Sequence, residues 1–110
     1  MRLGEQLGGY ATSEIRAGNP ADLAMAAVME AERAEDRVPE DVSKQNLGYD
    51  VLSRGADGLR FIEVKGRAEG ATTITVTRNE IQTCLNEPAK FWLAVVKVDG
   101  ERADAPAYLR

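Results

Sequence analysis

The first regular pattern along the chain predicts a helix from about Pro20 to Asp36. Asn19 and Pro20 form a typical helix start, with asparagine at the N-cap and proline in the first helical position. Side chains on one face then recur at intervals of three and four residues: Met25, Val28, Met29 and Glu32. The apolar face of this helix therefore ends in a carboxylate, which either marks the rim of the core or has a partner there.

Two strands are predicted next, over residues 49–53 and 61–66. The first follows a turn at Gly48, and the second consists mostly of residues that favour strands. The loop between them contains two glycines and an aspartate, so the strands are expected to form a hairpin. On the second strand Ile62 and Val64 point into the core. Glu63 and Lys65 then lie side by side on the opposite face.

The first strand of this hairpin begins with an unusual residue. Tyr49, Val51 and Ser53 are expected on one face, and Asp50 on the other. Aspartate is disfavoured in strands, so Asp50 is either a turn residue inherited from the preceding loop or a ligand. The sequence pattern alone leaves both interpretations open.

The remaining strands are predicted from residues 72–77 and 91–98. In 72–77 threonines alternate with apolar residues, which indicates a half-buried strand that follows a turn over 66–70. Residues 91–98 are almost continuously apolar and predict the most buried strand of the sheet. Residues 38–42 are compatible with one short extended piece.

A second helix is predicted over residues 78–86. Thr77 and Glu80 match a capping box, in which the threonine caps the helix and the glutamate reaches back to it. This helix is expected to bury Ile81 and Leu85. The capping box explains Glu80 structurally, so we assign it to the helix cap rather than to a functional site.

The elements therefore follow the order helix, strand, strand, strand, helix, strand. Three antiparallel strands and a helical crossover to a fourth predict an α/β fold with a mixed central sheet. Residues 1–20 are rich in glycine and show no sustained period, so they are predicted to be an arm or linker. Residues 21–99 form the predicted domain, and 100–110 a tail without a clear pattern.

Composition narrows the chemistry that this domain could perform. The chain has 110 residues, a net charge of -4, one cysteine and no histidine. Histidine bases, His-ligated zinc, an internal disulfide and a thiolate zinc site are therefore excluded. No apolar run is long enough to span a bilayer and no leader pattern is present, so a cytoplasmic protein is expected. Any catalysis has to come from carboxylates, lysine, tyrosine or a hard metal ion.

Three carboxylates and a lysine are expected to converge at one edge of the predicted sheet. Asp50 should lie across the hairpin from Glu63 and Lys65, and Glu32 should reach them from the first helix. Carboxylate oxygens of this kind suit Mg²⁺ or Mn²⁺, which would polarise a scissile phosphate. Lys65 would orient water or stabilise charge, because the neighbouring carboxylates oppose its deprotonation. A plain ion pair between Glu63 and Lys65 is the alternative.

The same positions carry a family resemblance. Glu32, Asp50 and Glu63-Val64-Lys65, on a helix and two strands, resemble the PD-(D/E)xK nuclease superfamily. Four segments in order resemble, more closely, the NO VEIN C-terminal-like domain: Asn46–Val51, Arg60–Gly66, Thr77–Glu80 and Phe91–Val96. This resemblance implies a restriction-endonuclease-like core. It also implies that Asp50, Glu63 and Glu32 bind the metal and that Lys65 is the catalytic lysine.

The resemblance further implies a metal-dependent nuclease that hydrolyses DNA, as a module linked to a helicase or to a restriction or defence system. Two departures from the pattern stand out. Tyr49-Asp50 replaces the Pro-Asp pair of the superfamily, as is usual for this family. No helix is predicted after the last strand, which is consistent with an excerpt of a larger protein.

A catalytically silent module of the same fold is the second hypothesis. It would bind nucleic acid or a protein partner, or form a homodimer through exposed sheet edges. In the nucleic-acid hypothesis the residues expected to contact phosphates are Arg54, Arg60, Arg67, Arg78 and Asn79. Arg78 and Asn79 are favoured among them because a helix N-terminus attracts anions.

Overall fold

A computed structural model describes residues 20–68, 74, 76–100 and 102–109 of the chain. Two α-helices and six strands lie in these segments. In chain order they are α1 (Pro20–Ala34), β1 (Val38–Asp41), β2 (Val51–Gly55), β3 (Gly58–Ala68), α2 (Arg78–Asn86), β4 (Phe91–Asp99), β5 (Arg102–Ala103) and β6 (Ala107–Leu109). The predicted arm over 1–20 lies outside the described residues except for Pro20, the first residue of α1. The predicted N-cap, Asn19, also lies outside them.

The six strands form one mixed sheet in the order β1-β2-β3-β4-β5, and β6 also pairs with β4. The first three strands are antiparallel neighbours, and β4 runs parallel to β3 after the crossover through α2. A parallel pair requires such a crossover, because a short turn cannot return the chain to the same end of the sheet. The predicted α/β class and the mixed sheet are confirmed, and the order begins as predicted with a helix, three strands, a helix and a strand.

One face of the sheet packs against α1 and holds the core. Its buried residues come from the helix and from three strands: Ala24, Val28, Val51, Ile62, Ala94, Val96 and Val98. Gly66 lets the helix approach closely, because a Cβ atom there would lie 3.3 Å from the Cβ of Ala24. Alternation along β3 therefore turns Arg60, Ile62, Val64 and Gly66 toward α1, and Glu63 and Lys65 toward the other face.

The predicted first strand begins later in the structure than its alternation suggested. β2 starts at Val51, two residues after Tyr49. The Tyr49 ring instead stacks on Phe61, with centroids 4.6 Å apart and planes at 13°. Phe61 lies on the face of β3 opposite Ile62, so the expectation that Tyr49 shares a face with Val51 was wrong. The Gly48 turn reorients the chain just before the strand.

The predicted third strand is also placed differently. β1 supplies a strand before the hairpin, and β3 continues through Ala68 where a turn over 66–70 was expected. Of the residues 72–77, positions 72, 73 and 75 lie outside the described part, and Ile74, Val76 and Thr77 belong to no strand. The partner strand for β3 is β4, so alternating threonines were a weaker signal than the long apolar run of β4.

Helix α2 has the predicted bounds but not the predicted packing. Its cap is the expected Thr77 with a complete capping box. Ile81 and Leu85 are 50% and 69% exposed, however, and the helix has no buried residue. The expectation that these two side chains are buried was wrong, because local periodicity does not show which side of a short helix faces the sheet.

The segment after β4 contributes to the sheet although its sequence shows no clear pattern. β5 and β6 both pair antiparallel with β4, and β6 brings Tyr108 into contact with the core. The strands are two and three residues long, too short to show a period of two. Within the described residues, no helix is long and apolar enough to cross a membrane.

Candidate functional site

The β2–β3 hairpin places Asp50 beside Glu63. Val51 faces Ile62 across the hairpin, and the Asp50 N–H donates to the Ile62 carbonyl at 2.8 Å. The Val64 N–H in turn donates to Asp50 Oδ2 at 2.9 Å. Asp50 therefore continues the hairpin one residue beyond the assigned strand. Its carboxylate is oriented by the backbone of the strand that carries Glu63 and Lys65.

Lys65 lies between two carboxyl groups on this face of the sheet. Its Nζ is 3.2 Å from Glu63 Oε2, and 3.1 Å and 3.2 Å from the two oxygens of Glu80. The side chains of Glu63, Glu80 and Lys65 are only 5%, 12% and 18% exposed. Ion pairs in such a partly dry setting are stronger and better ordered than exposed ones.

The pKa values of Glu63 and Glu80 are shifted in opposite directions. Burial, a hydrogen bond with Glu80 and the nearby charge of Asp50 raise the pKa of Glu63 to about 9. Burial alone would raise the pKa of Glu80, but its hydrogen bonds with Glu63, Thr77 and Lys65 outweigh that effect and lower it. At neutral pH Glu63 therefore carries a proton and Glu80 is ionised. Asp50, Glu63 and Glu80 are so close that their three carboxyl groups cannot all be ionised unless a proton or a cation is bound among them.

Lys65 stays protonated in this arrangement. Partial burial favours a lower pKa, but the hydrogen bonds to Glu80 and Glu63 outweigh it and raise the pKa of Lys65. This is the direction expected from the sequence. A lysine held as an ammonium can position groups and stabilise negative charge, whereas it cannot accept a proton.

Two cavities meet at Asp50. One of about 380 Å³ is lined by Asp50, Glu63 and Glu80 together with Asn79 and the loop before Asp50. The other, of about 520 Å³, lies on the α1 side of Asp50 and includes Lys44 and Val64. The carboxyl groups of the cluster therefore border open space large enough for a phosphate group with its ligands.

Gly48, in the loop before Asp50, lies in contact with α2. It has a φ of +89°, and a Cβ atom there would lie 2.0 Å from Thr83 Oγ1. Thr83 Oγ1 itself lies 3.3 Å from the Leu47 carbonyl oxygen and 2.9 Å from the Asn79 carbonyl oxygen of its own helix, and the two carbonyls share its one proton. The loop that carries Asp50 therefore touches the helix that carries Glu80, and only glycine fits at the contact.

We expect Gly48→Ala to lower the free energy of unfolding by about 1–3 kcal/mol, because it adds both backbone strain and a clash with α2. Gly58→Ala is the matched control, since Gly58 also has a positive φ of +114° but no atom of the described residues lies within 4 Å of its added Cβ. Urea unfolding of both variants measures the difference. Equal losses of unfolding free energy in the two variants would show that the clash with Thr83 has no effect on stability.

Glu32 is not part of this cluster. It is fully buried on the α1 face of the sheet, whereas Glu63 and Lys65 lie on the other face. Its carboxylate accepts from Tyr108 Oη at 2.7 Å and pairs with Arg37 Nε at 3.3 Å and Arg60 Nη1 at 3.2 Å. The expectation that Glu32 joins Asp50 and Glu63 was wrong, because alternation along β3 separates the two faces. Glu32 has structural partners instead.

The basic residues predicted to contact nucleic acid are divided among several places. Arg60 pairs with Glu32 and Glu35 and lies over the Trp92 ring, so it is committed to the interior network. Arg54 pairs with the exposed Glu40 at 3.1 Å. These two arginines lie away from the cluster around Lys65.

The other three candidates lie closer to that cluster. Asn79 lines its cavity. Arg78 is exposed at the first position of α2. Arg67 follows Lys65 on the same face of β3, and its buried Nε has no hydrogen-bond partner among the described residues. Asn79, Arg78 and Arg67 therefore remain the better candidates for contacts with a phosphate chain.

Glu80 is the member of this cluster that sequence reasoning assigned elsewhere. The capping box gave a sufficient explanation for a glutamate at this position, and the structure contains that capping box. It also shows that the same carboxylate reaches Lys65. The signal that could have revealed this is the position of Glu80 at the start of the crossover helix, close in space to the end of β3.

Comparison with known proteins adds one finding to this geometry. The sequence model of a family described as Protein NO VEIN, C-terminal, matches residues 21–109. This range extends through β6, in agreement with the place of that strand in the sheet. No curated protein and no solved structure matches the chain.

Proposed function

The chain belongs to the NO VEIN C-terminal family, and from this premise we propose that the domain hydrolyses phosphodiester bonds in DNA with the help of a divalent metal ion. The observation that carries the proposal is the position of Asp50 beside Glu63 and Lys65, at the border of an open polar cavity. Two carboxylates and an ammonium on one hairpin are the groups that metal-assisted phosphodiester hydrolysis needs.

The donor set fits Mg²⁺ or Mn²⁺. Asp50 and Glu63 offer hard oxygen ligands, and repulsion between the carboxyl groups of this cluster would be relieved by a bound cation. Among the described residues, no three acidic or cysteine side chains are arranged to hold an ion by themselves. Mg²⁺ does not require that, since it binds through one or two carboxylates and keeps waters and substrate phosphate oxygens as its other ligands. When bound, the ion polarises the phosphate and acidifies a coordinated water.

The protein groups have distinct tasks in this proposal. Asp50 is held in place by the Val64 N–H, so its carboxylate needs little reorganisation to bind a cation. Glu63 would be the second ligand and would release its proton when the ion binds. Lys65, as a protonated ammonium, would stabilise the negative charge that grows on the phosphate oxygens. Asn79 and Arg78, at the exposed start of α2, would contact the phosphate chain on either side.

We expect Mn²⁺ to bind the wild-type chain and Asp50→Asn to weaken that binding at least about tenfold. The asparagine oxygen can still accept from the Val64 N–H, so the hairpin is preserved while the anionic ligand is lost. Titration calorimetry with and without a short DNA duplex measures both affinities. Asp99→Asn, which removes one carboxylate from the exposed end of β4, is the control for net charge.

Absence of Mn²⁺ binding to the wild type, with and without DNA, would favour the second hypothesis of a silent binding module. Equal binding by the wild type and Asp50→Asn would place the ion elsewhere and contradict the assignment of Asp50. A helicase domain in the same or a neighbouring chain, a homodimer, and a role in restriction or defence stay predictions from the family resemblance.

A further inference from the structure

We propose that Glu80 is a positioning residue of the site, and that its carboxylate holds the Lys65 ammonium where the reaction needs it. This inference rests on the proposed function and goes beyond it. It replaces Glu32, which lies on the other face of the sheet, as the third acidic residue that acts with Asp50 and Glu63.

Glu80 holds Lys65 through both oxygens of its carboxylate, and we call this pair of contacts the clamp. Both Glu80 oxygens lie within 3.2 Å of Lys65 Nζ, whereas Glu63 contributes one oxygen to that ammonium. A carboxylate that meets an ammonium through both oxygens defines its position more narrowly than a single contact does. Without Glu80, the long and flexible lysine side chain would have one acidic neighbour instead of two.

The capping box keeps the clamp itself in place. The Thr77 N–H donates to Glu80 Oε1 at 2.9 Å, and the Glu80 N–H donates to Thr77 Oγ1 at 3.2 Å. One Glu80 carboxylate therefore caps the helix and holds Lys65 at the same time. The side-chain torsions of Glu80 are fixed from the backbone side, so Lys65 is held against a rigid helix start.

Among the described residues, helix α2 makes few other contacts with the sheet, chiefly with β4. It has no buried residue, and its apolar Ile81 and Leu85 face solvent. Its described links to the site are polar, through Glu80 to Lys65 and through Thr83 to the Leu47 carbonyl. A helix attached in this way is suited to placing a charged group beside Lys65 rather than to closing a core.

Two variants separate the helix cap from the clamp. Glutamine also serves at the third position of a capping box, so Glu80→Gln keeps an acceptor for the Thr77 N–H but removes the charge facing Lys65. Thr77→Ala does the reverse, because it removes the side-chain acceptor for the Glu80 N–H but keeps the Glu80 carboxylate and the backbone N–H of residue 77 that holds it.

We expect Glu80→Gln to reduce kcat for metal-dependent DNA cleavage by about 10–100-fold with KM little changed, because a displaced ammonium loses its alignment. Amide exchange in α2 should stay as in the wild type. Thr77→Ala should instead accelerate amide exchange in α2 about fivefold and leave kcat within a few-fold of the wild type. Wild-type or higher activity of Glu80→Gln would overturn the proposal. Equal losses of activity in both variants would overturn it too, since they would reduce Glu80 to a helix cap.

A readout that needs no cleavage separates this inference from the proposed function. In NMR spectra of protein labelled at lysine, the two ε protons of Lys65 should be distinct in the wild type and in Thr77→Ala, and merge in Glu80→Gln as the side chain becomes mobile. A wild type that does not cleave DNA but shows this pattern would contradict the nuclease and support the clamp. Merged signals in the wild type would overturn the clamp whatever the activity.

Discussion

Lys65→Met is expected to reduce the rate of metal-dependent DNA cleavage by about 10²–10³-fold, the size of effect found when one charge-stabilising donor is removed from an active site. The lysine contacts Glu63 and Glu80, which line the cavity beside Asp50, and it stays an ammonium because hydrogen bonds to these two residues raise its pKa. Methionine has a similar length and no charge, so it fills the space but cannot stabilise a phosphate oxygen.

The measurement is the single-turnover cleavage rate of a labelled duplex at saturating Mg²⁺. Lys97→Met is the matched control, because it removes the same charge from an exposed position near the end of β4. Circular dichroism should show that both variants remain folded. A Lys65→Met rate within threefold of the wild type would contradict a catalytic role for this lysine.

Glu32→Ala is expected to lower the free energy of unfolding by about 3–5 kcal/mol, which is the usual cost of removing one partner from a buried ionic network. Glu32 is fully buried, and three groups converge on it: Arg37, Arg60 and the Tyr108 hydroxyl. Its removal leaves the Tyr108 hydroxyl without this acceptor and takes one of two carboxylate partners from the nearly buried Arg37 guanidinium, which keeps Asp57. Four parts of the chain meet here, namely α1, the segment before β1, β3 and β6.

Urea unfolding followed by circular dichroism measures this loss. Glu30→Ala, on the exposed side of the same helix, is the control and should change stability by less than about 0.5 kcal/mol. Glu32→Gln keeps acceptor capacity and provides a milder variant if the alanine protein does not fold. A loss below 1 kcal/mol in Glu32→Ala would show that the network contributes little to stability.

The parts of the fold that the sequence predicts are those with a local signature. The Asn-Pro start and three-four periodicity define α1, and the Thr77–Glu80 capping box gives the bounds of α2 as the structure has them. The long apolar run over 91–98 predicts the buried strand β4. Its parallel pairing with β3 was not predicted, because the crossover was expected to start from a strand over 72–77. The family resemblance to the NO VEIN C-terminal domain is borne out by the match over residues 21–109.

The parts that could not be predicted depend on which face of the sheet a side chain occupies. Glu32 ends an apolar stripe, and sequence periodicity cannot show that the stripe faces the side of β3 opposite Lys65. Ile81 and Leu85 have helical spacing, yet α2 is attached through polar contacts and leaves them exposed. β5 and β6 are too short for a pattern and exist because β4 has an open edge to pair with.

Glu80 shows how one residue can satisfy two explanations. A local rule accounted for it fully, so nothing in the sequence required a second role. Only the tertiary contact between the start of α2 and the end of β3 brings its carboxylate to Lys65. Asp50 is the opposite case, since its disfavoured position at a strand start was the sign of a residue held there by the neighbouring strand.

The most direct measurement for the nuclease proposal is cleavage of plasmid and linear duplex DNA by the purified chain, with Mg²⁺ or Mn²⁺ and with the metal chelated. The proposal predicts metal-dependent cleavage by the wild type that is abolished by the chelator and absent from Lys65→Met purified in the same way. It would be contradicted if the wild type cleaved DNA with neither Mg²⁺ nor Mn²⁺, or if the wild type and Lys65→Met cleaved DNA equally.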